Sequence, residues 1–337
     1  MIREILKSAV FGGGPVHLIL HVTNRCNLRC KTCFVNFEKN PKKELTLDEI
    51  KEISKTLKDI IWLDISGGEP FIRKDLPEIC ACFNTKSISI PTNGFNPKLI
   101  SDSVKKIKKL TKAELSIALS IDGFEKTNDS IRSPGCFKKS LETIALLKEI
   151  KGIRVKVNTV LCERNYDEMI PFMKFIKKQD VDFHSVIFLR GDSRDATFRC
   201  PSHDKLEKIK PEIFRMWNTY DYGFNGIGKR ALKNYQRIMY NTSLRIFTEK
   251  RQIPSCLAGK KHLVVYPTGD VAFCEMLPPF GNLKEKKLKN LLHSKKAEAQ
   301  RILILKKKCY CYHNCNMVDN FFLNPWQYPK LLFEKNK

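Results

Sequence analysis

Acid is what this chain has too little of. Its 337 residues hold 36 Asp and Glu against 61 Lys and Arg, a formal charge of +25 at pH 7. That imbalance favours acidic partners such as anionic lipid, RNA or phosphorylated molecules. The charge is nevertheless spread over Lys-rich helix faces such as "KKIKKLTK", and no single basic stripe carries interleaved aromatics. Long apolar runs are missing too. None approaches the roughly eighteen residues of a membrane-spanning helix, so no transmembrane segment is expected. No secretory signal opens the chain: His17 and His21 interrupt the apolar stretch after Pro15, and no small-residue cleavage site follows. Without a secretory route the thirteen cysteines, an odd number, are not expected to pair as disulfides. A cytoplasmic protein with metal-ligating thiols is the better reading.

What the sequence does have is alternation. Short β-like runs ("VHLILHV", "IWLDIS", "SISIPT", "LSIALSI", "IRVKVNTV" and "FHSVIFL") are separated by stretches with helical spacing such as "TLDEIKEISKTLKDI" and "CFKKSLETIALLKEI". Strand and helix alternating six times predict an α/β fold built on a parallel sheet. Six units are too few for a complete eight-stranded barrel, so a partial (β/α)6 barrel is expected. Chemistry in such barrels gathers at the C-terminal ends of the strands. Four motifs fall there: three cysteines after the first run, "SGGEP" after the second, "TNG" after the third and "SIDG" after the fourth.

The cysteines are Cys26, Cys30 and Cys33, in "CNLRCKTC". Structural zinc is closed by four ligands, commonly as two CxxC pairs or one CxxC with distant histidines, and this spacing fits neither. A cubane [4Fe–4S] cluster is held by thiolates at its corners. Three thiolates would leave one iron open, which is useful only if something must bind there and receive an electron.

This motif, followed directly by Phe34, resembles that of the radical S-adenosylmethionine (SAM) enzymes. The resemblance implies that SAM chelates the open iron and that a reductant such as flavodoxin or ferredoxin delivers the electron. Reductive cleavage would then give a 5′-deoxyadenosyl radical that abstracts hydrogen from substrate. It also implies SAM contacts from Gly67, Gly68 and Glu69 of "SGGEP", where glycines admit close backbone approach. Asn93 of "TNG", Ser120 and Asp122 of "SIDG", and Arg132 of "SIRSPG" carry over in the same way, Arg132 toward the SAM carboxylate. Taken alone, each of these reads equally well as a turn, cap or surface residue.

The second half has its own signal. Residues 196–253 read as a mainly helical connector between a core of residues 1–195 and a third part, residues 254–337. In that part "HLVVY" and "VAFC" flank a "PTGD" turn, a β-hairpin signature. Cys256, Gly269 and Cys274 surround it, and Cys309, Cys311 and Cys315 follow a helical stretch. This arrangement resembles the SPASM/Twitch extension of radical SAM enzymes, which holds auxiliary [4Fe–4S] clusters on a hairpin and helix. Five cysteines are fewer than the seven of a full SPASM domain, so one auxiliary cluster is expected, on Cys256, Cys274, Cys315 and either Cys309 or Cys311. A zinc site of four thiolates fits the spacing as well. His313 is a further possible ligand. Glu275, next to the hairpin cysteine, matches the place of a proposed base in sulfatase-maturing members, although a solvent-facing hairpin charge explains it too.

The sequence therefore points to a radical SAM enzyme acting on a small molecule or a peptide. Only 25 residues precede Cys26, fewer than the peptide-recognition module of some relatives needs. An RNA-modifying radical SAM enzyme and a non-enzymatic zinc protein binding nucleic acid or another partner are the alternatives.

Overall fold

The computed structural model describes residues 2–11, 13–34, 43–306, 309–312 and 314–333. Helix α1 (Ile2–Phe11) leads into strand β1 (His17–Thr23). Then α2 (Leu47–Thr56) precedes β2 (Trp62–Gly67), α3 (Leu76–Ala81) precedes β3 (Ser87–Thr92), and α4 (Pro97–Leu110) precedes β4 (Glu114–Ser120). Helices α5 (Glu125–Ile131) and α6 (Cys136–Lys148) lead to β5 (Ile153–Leu161), and α7 (Met169–Lys177) to β6 (Phe183–Phe188). Two long helices follow, α8 (His203–Trp217) and α9 (Gly226–Glu249). The remainder comprises β7 (His262–Val265), β8 (Asp270–Ala272), β9 (Gly281–Asn282), α10 (Leu288–Leu292), α11 (Lys295–Leu305), α12 (Asn314–Phe322) and α13 (Tyr328–Phe333).

All these strands form one sheet, in the order β6-β5-β4-β3-β2-β1-β7-β8-β9. Strands β1 to β6 pair in parallel with their sequence neighbours, giving the expected partial (β/α)6 barrel. The expected hairpin is β7–β8, antiparallel, with Gly269 at φ +90° in its turn. Strand β7 also pairs in parallel with β1, so the hairpin extends the barrel sheet directly.

The local sequence explains the layering. Along β1, Leu18, Leu20 and Val22 join the core beneath the helices, while Ile19 packs with Val264 and Ala272 on the concave face. Period-2 alternation sorts one strand into two environments. On α4, Ile100, Val104 and Ile107 are buried at helical spacing, and Lys105, Lys106 and Lys109 are exposed. There the basic run is a solvated helix face. Helix α2 starts with a capping box: Glu49 N donates to Thr46 Oγ1 (3.2 Å) and Thr46 N to Glu49 Oε2 (2.7 Å). Among the described residues no helix is long and apolar enough to cross a membrane.

Candidate functional site

The loop leaving β1 carries Cys26, Cys30 and Cys33, none of them in a disulfide and all half-buried. It is pinned from both sides. Lys31 N donates to Ile131 O (2.9 Å) at the end of α5, and Arg194 N donates to Cys33 O (2.9 Å). Two donors face the sulfurs: Leu28 N stands 3.5 Å from Cys26 Sγ, and Arg132 Nη1 stands 3.8 Å from Cys30 Sγ. Phe34 lies under the Arg190 guanidinium, 5.3 Å from its ring centre.

The end of β2 is fastened to this loop. Gly68 N donates to Thr23 O (2.9 Å) and Glu69 N to Arg25 O (3.0 Å). Gly67 has φ +123°, and a Cβ there would stand 2.4 Å from Thr23 O. Only glycine permits that approach. Glu69 is buried, and its carboxylate accepts from Thr92 Oγ1 (2.8 Å), Asn93 N (2.8 Å) and Phe71 N (3.3 Å). Burial pushes its pKa up to about 7 against those hydrogen bonds. Asn93 Nδ2 donates to Asn27 Oδ1 (2.8 Å), tying the third motif to the cysteine loop.

At β4, Ser120 is half-buried beside its register partner Asn158 on β5. Asp122 is fully buried. Its Oδ1 accepts from Val160 N (2.8 Å), and its Oδ2 pairs with Arg132 Nη2 at 2.8 Å. The Arg132 guanidinium is thus engaged by a carboxylate and a cysteine sulfur of this chain.

The C-terminal cysteines form a second pocket. Cys256 has Cys274, Cys309 and Cys311 as electrostatic neighbours, and Cys274 has Cys309 and Cys311. Asn316 Nδ2 lies 3.9 Å from Cys311 Sγ and also reaches the Cys274 thiol. Cys311 N donates to Gln252 Oε1 (3.0 Å), which anchors the segment to the end of the connector. Cys315 sits differently. It packs against Ile19, Val264 and Ala272 on the concave face, and its charged neighbours are Glu275, Asp64, Arg190 and Asp319. Unlike Cys311, which precedes α12, it lies in the first turn of that helix. His313 falls outside the described residues.

Between the two cysteine sites lies the polar concave face of the sheet. Glu275 turns inward, its side chain 7% exposed, and its Oε1 meets His21 Nε2 at 2.9 Å. The His21 ring lies against Tyr266, with centres 5.0 Å apart. Asp64 on β2 and Lys156 on β5 face the same space, and burial holds the Lys156 ammonium below its usual range while Asp64 opposes that. Period-2 reading of "HLILHV", "WLDIS" and "RVKVN" marks His21, Asp64 and Lys156 as polar residues on one strand face. That signal could have found them from sequence.

The residues suit iron–sulfur clusters. One zinc ion would draw its thiolates to about 3.8 Å from one another. Among the described residues no three cysteine sulfurs lie within 4.8 Å of each other, so neither set of thiols is gathered around a single ion. Burial pushes the Cys26 thiol up to about 11 and those of Cys256 and Cys274 up to about 12. Cationic iron is what would draw these protons off.

A partial barrel with three cysteines at its C-terminal rim is the architecture of the radical SAM class of proteins. The chain belongs to the radical SAM superfamily: residues 20–176 match that superfamily, and residues 256–317 match the SPASM iron–sulfur cluster-binding domain. The radical SAM part takes a [4Fe–4S] cluster with SAM, and the SPASM part takes auxiliary clusters. These matches favour cluster chemistry over the zinc reading. One relative is AlbA, the antilisterial bacteriocin subtilosin biosynthesis protein of Bacillus subtilis, 24% identical over 83% of this chain. The chain spans 58% of AlbA's length. Another is the GTP 3′,8-cyclase of Peptoclostridium acidaminophilum, 30% identical over 65% of this chain and 72% of the cyclase. In fold the chain is similar to Streptococcus suis SuiB bound to S-adenosylmethionine, with TM-score 0.65, 15% identity and coverage of 86% of this chain and 68% of SuiB. SuiB has also been solved bound to its precursor peptide SuiA.

Proposed function

We propose that this protein oxidises a peptide substrate held on the concave sheet face between its two cysteine sites. The inward-turned Glu275, hydrogen-bonded to His21 beside the second cysteine pocket, carries this reading. When bound, SAM and the clusters supply a 5′-deoxyadenosyl radical for hydrogen abstraction and an acceptor for one electron. Cys26, Cys30 and Cys33 are assigned to the radical cluster, and Cys256, Cys274, Cys309 and Cys311 to one auxiliary cluster. Cys309 replaces Cys315 in that set because Cys315 faces the barrel.

Glu275 accepts the proton released as the substrate loses its second electron. Its side chain is 7% exposed, and His21 fixes its orientation. Asp64 and Lys156, of opposite charge, receive polar groups of the substrate. Gly67, Gly68, Glu69, Asn93 and Ser120 shape the SAM side of the space. Flavodoxin or ferredoxin is the expected reductant, and the cytoplasm the expected compartment. The SuiB–SuiA complex and the bacteriocin role of AlbA support a peptide over a nucleotide.

The test is 5′-deoxyadenosine formation by reduced, reconstituted protein supplied with a short peptide encoded beside its gene, with GTP and RNA as controls. Stimulation by the peptide together with a product lighter by two hydrogens supports the proposal. Stimulation by GTP or RNA alone overturns the peptide assignment. In Glu275→Gln, 5′-deoxyadenosine should persist while product falls roughly a hundredfold or more, the usual worth of a general base.

A further inference from the structure

At the opposite end of β1 from the cysteine loop, three side chains converge. His17 opens β1, His262 opens β7 and is its register partner, and Asp319 projects from α12. Each is at most 1% exposed. His17 Nδ1 lies 3.0 Å from both Asp319 oxygens, His262 Nδ1 lies 3.0 Å from Asp319 Oδ2, and the two Nδ1 atoms are 3.3 Å apart. The rings stand at 90° to one another. On its far side His17 Nε2 meets Asp64 Oδ2 at 3.2 Å.

We propose that His17 Nδ1, His262 Nδ1 and Asp319 form a mononuclear site for a divalent transition metal of the zinc type, separate from both cysteine sites. Ligand atoms 3.0–3.3 Å apart are the edges of a coordination polyhedron with bonds of about 2.1 Å, the ion riding about 1 Å above their plane. Two imidazoles and one carboxylate select zinc, iron, cobalt or nickel over the all-oxygen preference of calcium and magnesium. Asp64 supplies the outer carboxylate that metal-bound histidines characteristically have. By accepting the Nε2 proton it fixes the tautomer whose Nδ1 lone pair points at the ion. The charges close as well: a dication is balanced by Asp319 and Asp64 with both rings neutral. Without an ion, two Nδ1 atoms 3.3 Å apart must share one carboxylate between their protons. The ion's task is structural. It rivets α12, which carries Asn316 beside the Cys274 and Cys311 thiols, to the strands of the barrel floor.

The anaerobic holoprotein, incubated with zinc chloride and desalted, should retain about one zinc per chain with its iron and sulfide unchanged. Zinc-edge X-ray absorption should show nitrogen and oxygen neighbours near 2.0–2.1 Å in place of the sulfur shell near 2.3 Å that zinc on cysteine would give. His262→Gln and Asp319→Asn should retain at least tenfold less zinc at the same iron content. No retained zinc, a sulfur shell, or equal retention by both iron-replete variants overturns the site. Should either variant lose iron, the absorption spectrum of the parent protein decides alone.

Discussion

Arg132 grips Cys30 and Asp122 at once, with Nη1 3.8 Å from Cys30 Sγ and Nη2 2.8 Å from Asp122 Oδ2. The guanidinium side chain is 8% exposed and Asp122 is not exposed at all, so little solvent screens the contact. A cation donating to a ligand sulfur stabilises the reduced, more negative cluster. Hydrogen bonds to charged groups are worth about 1.5 kcal/mol or more, and 1.4 kcal/mol is about 59 mV for one electron. Arg132→Lys keeps the charge but loses the fork. Its N-terminal cluster should therefore be harder to reduce by on the order of 50 mV in an EPR-monitored titration. An unchanged midpoint with Asp122 still buried would show that this contact does not tune the cluster.

Gly67 is where β2 and the cysteine loop meet. A methyl group at φ +123° would press on Thr23 O at 2.4 Å, and Thr23 is backbone that cannot rotate away. Gly67→Ala should cost about 2–4 kcal/mol. Because Gly68 N and Glu69 N hold Thr23 O and Arg25 O, the damage should spread into the loop. Iron retention after reconstitution should fall along with the thermal midpoint. Full iron loading at an unchanged midpoint would contradict the close approach described here.

Much of this was legible in the sequence, and the limits have physical causes. "SISIPT" coincides with β3, and the other five strand runs lie within a residue or so of their strands, because periodicity is a local property. The rim motifs were legible for the same reason: each directly follows a strand. What escaped depends on contacts between distant residues. That β7 would lie parallel to β1 is fixed by pairing across more than two hundred residues, which no local pattern encodes. Cysteine spacing could not decide between Cys309 and Cys311, and it gave no sign that Cys315, on α12, packs against the barrel sheet while Cys309 and Cys311 neighbour Cys256. The partners of Arg132 and Glu69 were hidden likewise, because Cys30 lies on the loop after β1 and Thr92 on β3.

His184 gives the protein a pH dependence of its own. It is fully buried on β6, with Nε2 2.7 Å from Thr159 Oγ1, and burial holds its pKa down at about 3. The unfolded chain takes up this proton near pH 6.5, while the native state refuses it until about pH 3. Stability should thus fall as pH drops through this window, by about 2 kcal/mol at pH 5 from this residue alone. The thermal midpoint of His184→Gln should depend less steeply on pH between 7 and 5 than that of the parent. Parallel profiles would mean that the ring is protonated in the native state.

The two cysteine sites should separate cleanly by mutation. Reconstituted parent protein should hold about eight iron and eight sulfide, two [4Fe–4S] clusters, and about twelve would require a second auxiliary cluster. On the proposed assignment the loop after β1 supplies three thiolates and so leaves one iron open to SAM. Cys30→Ala should abolish reductive cleavage of SAM with or without substrate. On the same assignment Cys274 is one of four thiolates that fully ligate the auxiliary cluster, so Cys274→Ala should still form 5′-deoxyadenosine under a strong reductant yet give little product. Losing a ligand can unravel a metal-held segment. Strand β7 pairs with the central strand β1, however, so the hairpin carrying Cys274 has sheet contacts that do not depend on the cluster. Retention of about four iron and an unchanged SAM affinity would confirm that the barrel survives. If such a Cys274→Ala protein still formed product at the parent's rate, electron removal through the second pocket would be wrong, and Glu275 would lose its reason to stand beside it.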